Sequence, residues 1–426
     1  MKKLSAVFVA LLVMQIVGVA IAWAQTTTGG ISGIVHDETG AVLTRVEMTI
    51  KNVETGISRS VVTDARGRFQ APNLSLGAYE VEAKLTGFQS QLRSGITLSV
   101  GQEAVIDFTL RVGDVSQTVE VHAEAPVIET TTSSVSGLVE GRQIRDLPLN
   151  GRSFEELAIL QPGVTMARVG SKGFTGGSGQ KINVGGARTY SSSFLMDGTD
   201  IKDMWGQTPG SVAGVSLGVD TVREFKVLVN SYSAEYGNAA GGVITAISRS
   251  GTNAIHGSVF EFLRNSAMDA RNFFDLDARN PLVRSNPPPF KRNQLGFTVG
   301  GPVRRDKTFY FGSYEGLRQR LSTTAFANVA TPAAREGNLP TGPVEVVSAI
   351  KPYLALLPLP NGRDNRDGTA EYSGAVRTPD NEDYFMGRVD HHFSSADSIF
   401  ARYSIDTATE EVPSAAMPPV PASLGP

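Results

Sequence analysis

The chain contains no cysteine and only five histidines. The first absence excludes disulfide frameworks, thiolate zinc sites and cysteine nucleophiles. The histidines are His36, His122, His256, His391 and His392. In an extended segment the adjacent pair His391-His392 points to opposite faces, so its rings do not converge on one metal. The motif H-E-x-x-H is also missing, which removes the usual carrier of zinc-protease chemistry. Asp64 and Asp197 stand in Gly-containing turns, where turn chemistry accounts for them. No residue is read as catalytic or metal-binding, and no cofactor is expected. Net charge is small, with 39 Lys+Arg against 42 Asp+Glu, so there is no basic footprint for nucleic acid. Beyond Ala22 no long apolar run occurs, which leaves no helical membrane span. A membrane role therefore has to come from β-strands.

What is present begins with an address. Lys2 and Lys3 form a positive start, Leu4 to Ala22 is uncharged, and Ala22-Trp23-Ala24 is an A-x-A triplet. This is the tripartite pattern of a secretory signal cleaved before Gln25, in preference to an uncleaved anchor. The 426 residues allow two to four domains at roughly 100–200 residues each.

Residues 25–112 read as an antiparallel β-sandwich. Val46, Met48 and Ile50 alternate with Glu47, Thr49 and Lys51. The same period of two places Tyr79, Val81, Ala83 and Leu85 on one face, and Ala104, Ile106, Phe108 and Leu110 on another. Turn signals at Glu54-Thr55-Gly56, Asp64-Ala65-Arg66-Gly67 and Thr86-Gly87 separate the strands. The runs Gly33-Ile34-Val35-His36-Asp37, Asn52-Val53-Glu54-Thr55-Gly56, Thr63 to Phe69 and Gly77-Ala78-Tyr79-Glu80-Val81 resemble the carboxypeptidase regulatory-like domain. That resemblance implies a transthyretin-like or Ig-like sandwich without peptidase activity, acting as a spacer or docking domain. Its superfamily is carbohydrate-binding-like, but no cluster of stacking aromatics supports a sugar site here.

Residues 113–125 form a linker containing Gln117-Thr118-Val119-Glu120-Val121-His122-Ala123, short and β-prone. Such a segment can add to the sheet edge of a partner. Thr118, Val119, Glu120 and Val121 resemble a TonB box, the stretch gripped by the periplasmic energy-transducing protein. A plain linker, or a last strand of the sandwich, reads equally from the pattern.

Residues 126–254 read as a mixed α/β unit. Ser153-Phe154-Glu155-Glu156 is a capping-box pattern before Leu157-Ala158-Ile159-Leu160, and Pro162-Gly163 stops that helix. Seven glycines between Gly170 and Gly186 match neither phosphate-binding pattern, so they read as a polar loop. Met196-Asp197-Gly198 signals a hairpin, and Val243 to Ile247 a final strand. Leu147 to Arg152, Leu160 to Val164, Asn183 to Arg188, Met196 to Gly198 and Ser233 to Ile244 resemble the TonB-dependent receptor plug. With the regulatory-like domain in front, the chain is similar to the Oar-like subgroup.

Residues 255–426 read as the first strands of an outer-membrane β-barrel. Dyads run through Ser258 to Leu263, Leu295 to Gly300, Phe309 to Tyr314, Phe385 to Phe393 and Ile399 to Ile405, about five strands by alternation. Leu321 to Asp383 reads as a long extracellular loop with a short helix in Val344–Leu356. A plugged transporter barrel has ~22 strands, which this stretch is too short to supply. The run Pro418-Pro419-Val420-Pro421 is not a closing strand. The expectation is the N-terminal portion of a receptor, from a truncated or fragmentary reading frame.

The resemblance implies an outer-membrane receptor for energy-coupled uptake. Its expected partners are a TonB-type protein in the periplasm, outer-membrane lipid and an unidentified ligand, with a carbohydrate among the candidates. The alternative is a secreted or surface carbohydrate-binding or adhesive module.

Overall fold

The computed structural model describes residues 28–113, 118–122, 134–146, 152–153, 155–167, 181–203, 206–211, 217–270, 289–395 and 397–411. The expected cleavage residues Ala22, Ala24 and Gln25 lie outside these, as do Leu147–Gly151 and most of the glycine run.

The first unit is built from β1 (Gly29–Asp37), β2 (Glu47–Asn52), β3 (Ser58–Val62), β4 (Arg68–Leu74), β5 (Gly77–Lys84), β6 (Ser90–Leu98), β7 (Glu103–Val105) and β8 (Phe108–Leu110). One sheet has the order β4-β1-β7 with β8 also on β1. The other runs β3-β2-β5-β6 and ends on β9 (Thr118–His122). The alternation expected from sequence is the one observed: Val46, Met48, Ile50, Val81 and Phe108 point into a single core. The pairing is not purely antiparallel, however. β1 runs parallel to β7 and β8, and β6 parallel to β9. Alternation reports which face is buried, not strand direction, so the sequence could not separate these cases. Asp64 serves its turn as expected, its Oδ1 accepting from the amides of Arg66 and Arg68 at 2.8 and 2.9 Å.

The second unit holds β10 (Val135–Glu140), β11 (Val164–Ala167), β12 (Lys181–Val184), β13 (Ser193–Met196), β14 (Thr199–Asp200), β15 (Val222–Asn230) and β16 (Val243–Ser248). Its main sheet has the order β10-β15-β16-β13-β14, and β11 pairs with β12. The helices are short, Gly141–Asp146 and Glu155–Ala158. Central β16 is buried along its whole length, which explains its continuous apolar run. Asp197 and Gly198 both have positive φ, 50° and 79°, as the two-residue hairpin between β13 and β14 requires.

The third unit is a five-stranded antiparallel meander. It comprises β17 (His256–Asn265), β18 (Phe290–Arg304), β19 (Thr308–Ala330), β22 (Thr369–His392) and β23 (Ser398–Glu410). The small hairpin β20 (Asn338–Leu339) and β21 (Gly342–Pro343) sits in the β19–β22 connection. One expectation needs correcting here. Leu321 to Asp383 is not all loop, because β19 and β22 stay in unbroken register from Leu321↔Thr378 to Ala330↔Thr369. No alternating apolar face marks this extension in the sequence, since a strand beyond the hydrocarbon keeps its ladder without one. A membrane strand needs only ~9–11 residues, so β19 and β22 project well past the bilayer. The helix expected in Val344–Leu356 is there in part, as a 3-10 turn at Ser348–Ile350 leading into Lys351–Leu356.

Polarity in this sheet is inverted relative to a water-soluble protein. Leu295, Phe297, Phe385 and Val389 are between 43% and 49% exposed, while Gln294 and Glu382 are at most 2% exposed. Apolar side chains outside and polar ones inside define a strand wall facing lipid. Connections at one end are tight, between β18 and β19 and between β22 and β23, and those at the other end are long. The sandwich docks at the tight-turn end. Asn253 Nδ2 donates to Thr55 O at 2.7 Å, and Asn253 Oδ1 accepts from Asp306 N at 2.9 Å.

Ile106 is buried in the sandwich, whereas Asp107 accepts from Ile34 N at 2.8 Å at the surface. Ile106→Asp should destabilise residues 25–112 by about 3 kcal/mol or more, because it buries an unpaired charge. Asp107→Asn should cost less than about 1 kcal/mol, since the amide oxygen still accepts. Thermal melts of that segment followed by circular dichroism measure both.

Candidate functional site: the interior face of the strand wall

The buried row of the wall consists of the odd positions of β19 and the even positions of β22. Phe309, Phe311, Ser313, Glu315 and Leu317 come from β19, and Asp380, Glu382, Tyr384 and Met386 from β22. This row packs on the second unit, with Leu217 inserted among Phe311, Leu317, Tyr384 and Met386. Gly218 has φ +86°, and a Cβ there would lie 2.4 Å from the Tyr384 ring. Only glycine permits that approach.

Two ion networks fasten the units. In the first, Asp197 is 8% exposed and faces two arginines of the wall. Its Oδ1 lies 3.2 Å from Arg388 Nη1 and its Oδ2 2.8 Å from Arg402 Nε. Ser248 N and Oγ donate to the same carboxylate at 2.9 and 2.6 Å. Arg388 also donates to Asp390 at 2.7 Å and lies 4.5 Å from the centre of the Phe400 ring. The sequence reading gave Asp197 a turn role alone. The turn is there, but the same tight hairpin aims the carboxylate at the wall, where it neutralises two guanidinium groups.

In the second network, Arg152 Nη2 donates to Asp220 Oδ2 at 2.5 Å and Arg152 Nε lies 3.4 Å from Glu315 Oε1. The guanidinium stacks over Phe260 and Phe262, at 4.0 and 4.9 Å. Glu315 accepts from Gly218 N at 3.0 Å and from Gln294 Nε2 at 2.6 Å. Ser211 Oγ donates to Glu382 Oε2 at 2.7 Å. Each of these residues is buried with at least one hydrogen-bonded partner, although Arg152 Nε, Arg402 Nε and Glu382 Oε1 have none. The two networks fasten the second unit to the wall.

These residues were missed from the sequence, although a signal existed. Glu315, Glu382, Arg388 and Arg402 are charges within dyad strands whose alternate positions are apolar. In a wall read as lipid-facing, such charges have to point inward.

The predicted partner segment is placed elsewhere. Thr118, Val119, Glu120 and Val121 lie in β9, hydrogen-bonded in parallel to β6 from Ser90↔Thr118 to Arg93↔Val121. They are distant in the chain from both ion networks and belong to the sandwich sheet.

The sandwich is docked on the second unit by a smaller interface. Leu76 and Val100 pack on Ile247 and Leu138. Arg223 Nη2 lies 3.1 Å from Glu54 Oε2, and Val100 N donates to Glu224 Oε1 at 2.5 Å. Burial at this interface pushes the Glu224 carboxyl above the usual carboxylate range.

Comparison with known proteins gives these parts their class. A carboxypeptidase regulatory-like domain matches residues 30–111, a TonB-dependent receptor plug domain residues 127–243, and an outer-membrane beta-barrel domain residues 247–425. With its plug fastened to a lipid-facing strand wall, the chain has the domain set of the TonB-dependent receptors of the cell outer membrane. The regulatory-like domain ahead of the plug makes it Oar-like. It is 26% identical over 288 residues to the TonB-dependent transporter Oar of Myxococcus xanthus, covering 66% of this chain. The chain spans about a quarter of that relative's length, 26%. Among solved structures, a mutant ferric enterobactin receptor of Pseudomonas aeruginosa aligns at 13% identity and a TM-score of 0.38. It covers 65% of this chain and 33% of that one. The siderophore receptor PirA of Acinetobacter baumannii aligns at 15% identity and 0.34, over 64% and 44%.

Two outcomes are expected. Asp197→Ala leaves Arg402 buried without its counter-charge and Arg388 with Asp390 alone, and should weaken plug–wall packing by about 3 kcal/mol. Asp200→Ala, at the exposed ion pair with Lys202, should change it by less than about 1 kcal/mol. Denaturant titration read by protease cleavage of the plug distinguishes them. The second outcome concerns pH. Glu224 has a raised folded pKa, so its contribution to docking is full below its unfolded value and is lost as pH rises through the folded value. Hydrogen exchange at the Val100 amide should therefore quicken over that rise, beyond the intrinsic increase. In Glu224→Gln, which keeps an acceptor oxygen, the excess should vanish.

Proposed function

We propose that this chain is the N-terminal portion of a receptor that takes up a ligand by energy coupled from the periplasm. The carrying observation is the fastening itself. A mixed-sheet plug is held against the polar inner row of a lipid-facing wall by Asp197 with Arg388 and Arg402, and by Arg152 with Asp220 and Glu315. Buried ion pairs of this kind are costly to break one partner at a time, which ties the plug to the wall. We assign residues 1–24 to the signal peptide, 25–112 to the sandwich, 113–125 to the linker, 126–254 to the plug and 255–426 to the barrel. The partner is a TonB-type periplasmic protein, and Thr118, Val119, Glu120 and Val121 are its contact. The tight turns of the wall mark the periplasmic end by the ordinary pattern of outer-membrane barrels. The sandwich and β9 sit at that end, where such a partner works.

Strand addition depends on main-chain groups. Val119→Pro removes one N–H and restricts Thr118, and should reduce binding of the partner's periplasmic domain at least about tenfold. Val119→Ala keeps the backbone and should bind within about twofold of the unmodified chain. Binding is measured by calorimetry or interferometry. Equal binding by the proline variant removes the assignment.

A further inference from the structure

We propose that the outward face of the wall carries a lipid site at the rim of its apolar belt farthest from the tight turns, where Lys291 and Arg320 grip the phosphate of a phosphomonoester lipid headgroup. The proposal goes beyond the uptake reading and needs only that the wall faces lipid.

The outward positions follow from the register. They are the odd residues of β18 and β22 and the even residues of β19. Near the tight turns these positions are apolar: Val299, Phe297 and Leu295 on β18 and Val389 and Phe385 on β22 are between 38% and 49% exposed. Past Leu295 the same face becomes polar, with Asn293 and Lys291 on β18, Arg318 and Arg320 on β19 and Asp383 on β22.

Arg318 and Asp383 satisfy each other. Arg318 Nη2 donates to both carboxylate oxygens at 2.7 and 2.9 Å, and the Tyr314 hydroxyl donates to the same group at 2.6 Å. Lys291 and Arg320 are exposed and stand directly opposite each other across β18 and β19. Among the described residues neither makes an ion pair. Like charges facing across a strand pair repel. An anion seated between them turns that repulsion into two attractions. Phosphate fits the pair, because a guanidinium meets it with two parallel N–H donors and an ammonium binds it as a point charge. A phosphomonoester carries nearly two negative charges around neutral pH, which matches the two positive ones.

Position selects a lipid phosphate. Lys291 is four residues past Leu295, ~13 Å along the strand at ~3.4 Å per residue. At a strand tilt of ~40° this is about 10 Å along the membrane normal. Both side chains have long apolar stems that reach back toward the belt while their charges stay in the polar layer. A headgroup phosphate held there leaves its acyl chains beside Leu295, Phe297 and Phe385, so the cations and the apolar face act on one molecule. By the orientation given above, this is the outer leaflet.

The test uses the full chain in micelles of a zwitterionic detergent. Dioleoyl phosphatidic acid is the probe, dioleoyl phosphatidylcholine the reference, and bound lipid is read by native mass spectrometry. The unmodified chain should retain phosphatidic acid in preference. Lys291→Gln with Arg320→Gln should lower that retention about tenfold or more. Lys51→Gln with Arg66→Gln removes the same charge from exposed positions of the sandwich and should retain the lipid as the unmodified chain does. Lys291→Arg with Arg320→Lys keeps both charges and should stay within about twofold. Circular dichroism checks that each variant keeps its strand content. Full retention by the Lys291→Gln, Arg320→Gln chain overturns the proposal, because the lipid then binds elsewhere. Equal loss in the sandwich variant overturns it by reducing the effect to net charge. Loss in the charge-keeping variant, or no preference in the unmodified chain, overturns it as well. Inorganic phosphate at the concentration of the lipid should not displace it, and displacement overturns the proposal in favour of a free anion.

Discussion

A strand in hydrocarbon has no water to satisfy its amides and carbonyls, and this constraint shapes everything else in the chain. The wall answers it with a meander in which each strand pairs with its neighbour in sequence. Lipid then demands apolar side chains on the outer face, and the period of two sends the remaining positions inward. The inner row so produced is mixed, with Gln294, Glu315 and Glu382 buried in it beside Phe311, Leu317 and Met386. Such a row cannot face an apolar core. It needs a polar counterpart, and the plug supplies one.

That counterpart is built from a few well-placed groups. A tight hairpin holds Asp197 in the left-handed region and brings it to Arg388 and Arg402, with Ser248 completing its hydrogen bonds. Gly218 lets the plug backbone come against Tyr384, close enough for its amide to reach Glu315. The interface mixes these charges with an apolar patch around Leu217. The apolar part gives cohesion without direction, while the ion pairs fix orientation and become unfavourable once one partner is withdrawn.

The sandwich extends the same logic toward the tight-turn end of the wall. Its core closes by itself, yet Leu76 and Val100 turn outward to meet Ile247 of the plug. Asn253 bonds to Glu54 and Thr55 on one side and to Asp306 on the other, so one side chain and its backbone tie sandwich, plug and wall together. The sandwich is therefore a docked part of the assembly and not a tethered bead, which gives β9 a fixed position.

The sequence alone determined the strands and their faces. Alternation at Met48, Ile50, Phe297 and Val299 is a local property, written in neighbouring side chains, and the structure places each on the expected side. Turn chemistry at Asp64 and at Asp197-Gly198 was legible for the same reason. What only the tertiary structure decided was which strands run parallel, how far β19 and β22 continue beyond the bilayer, and what the buried charges meet. Arg402 and Asp197 are 205 positions apart by their numbering, and nothing local to either residue names the other. Their pairing follows from how the hairpin after β13 enters the concave side of the wall. Charge complementarity over such a separation arises from packing, and packing is not recorded in periodicity.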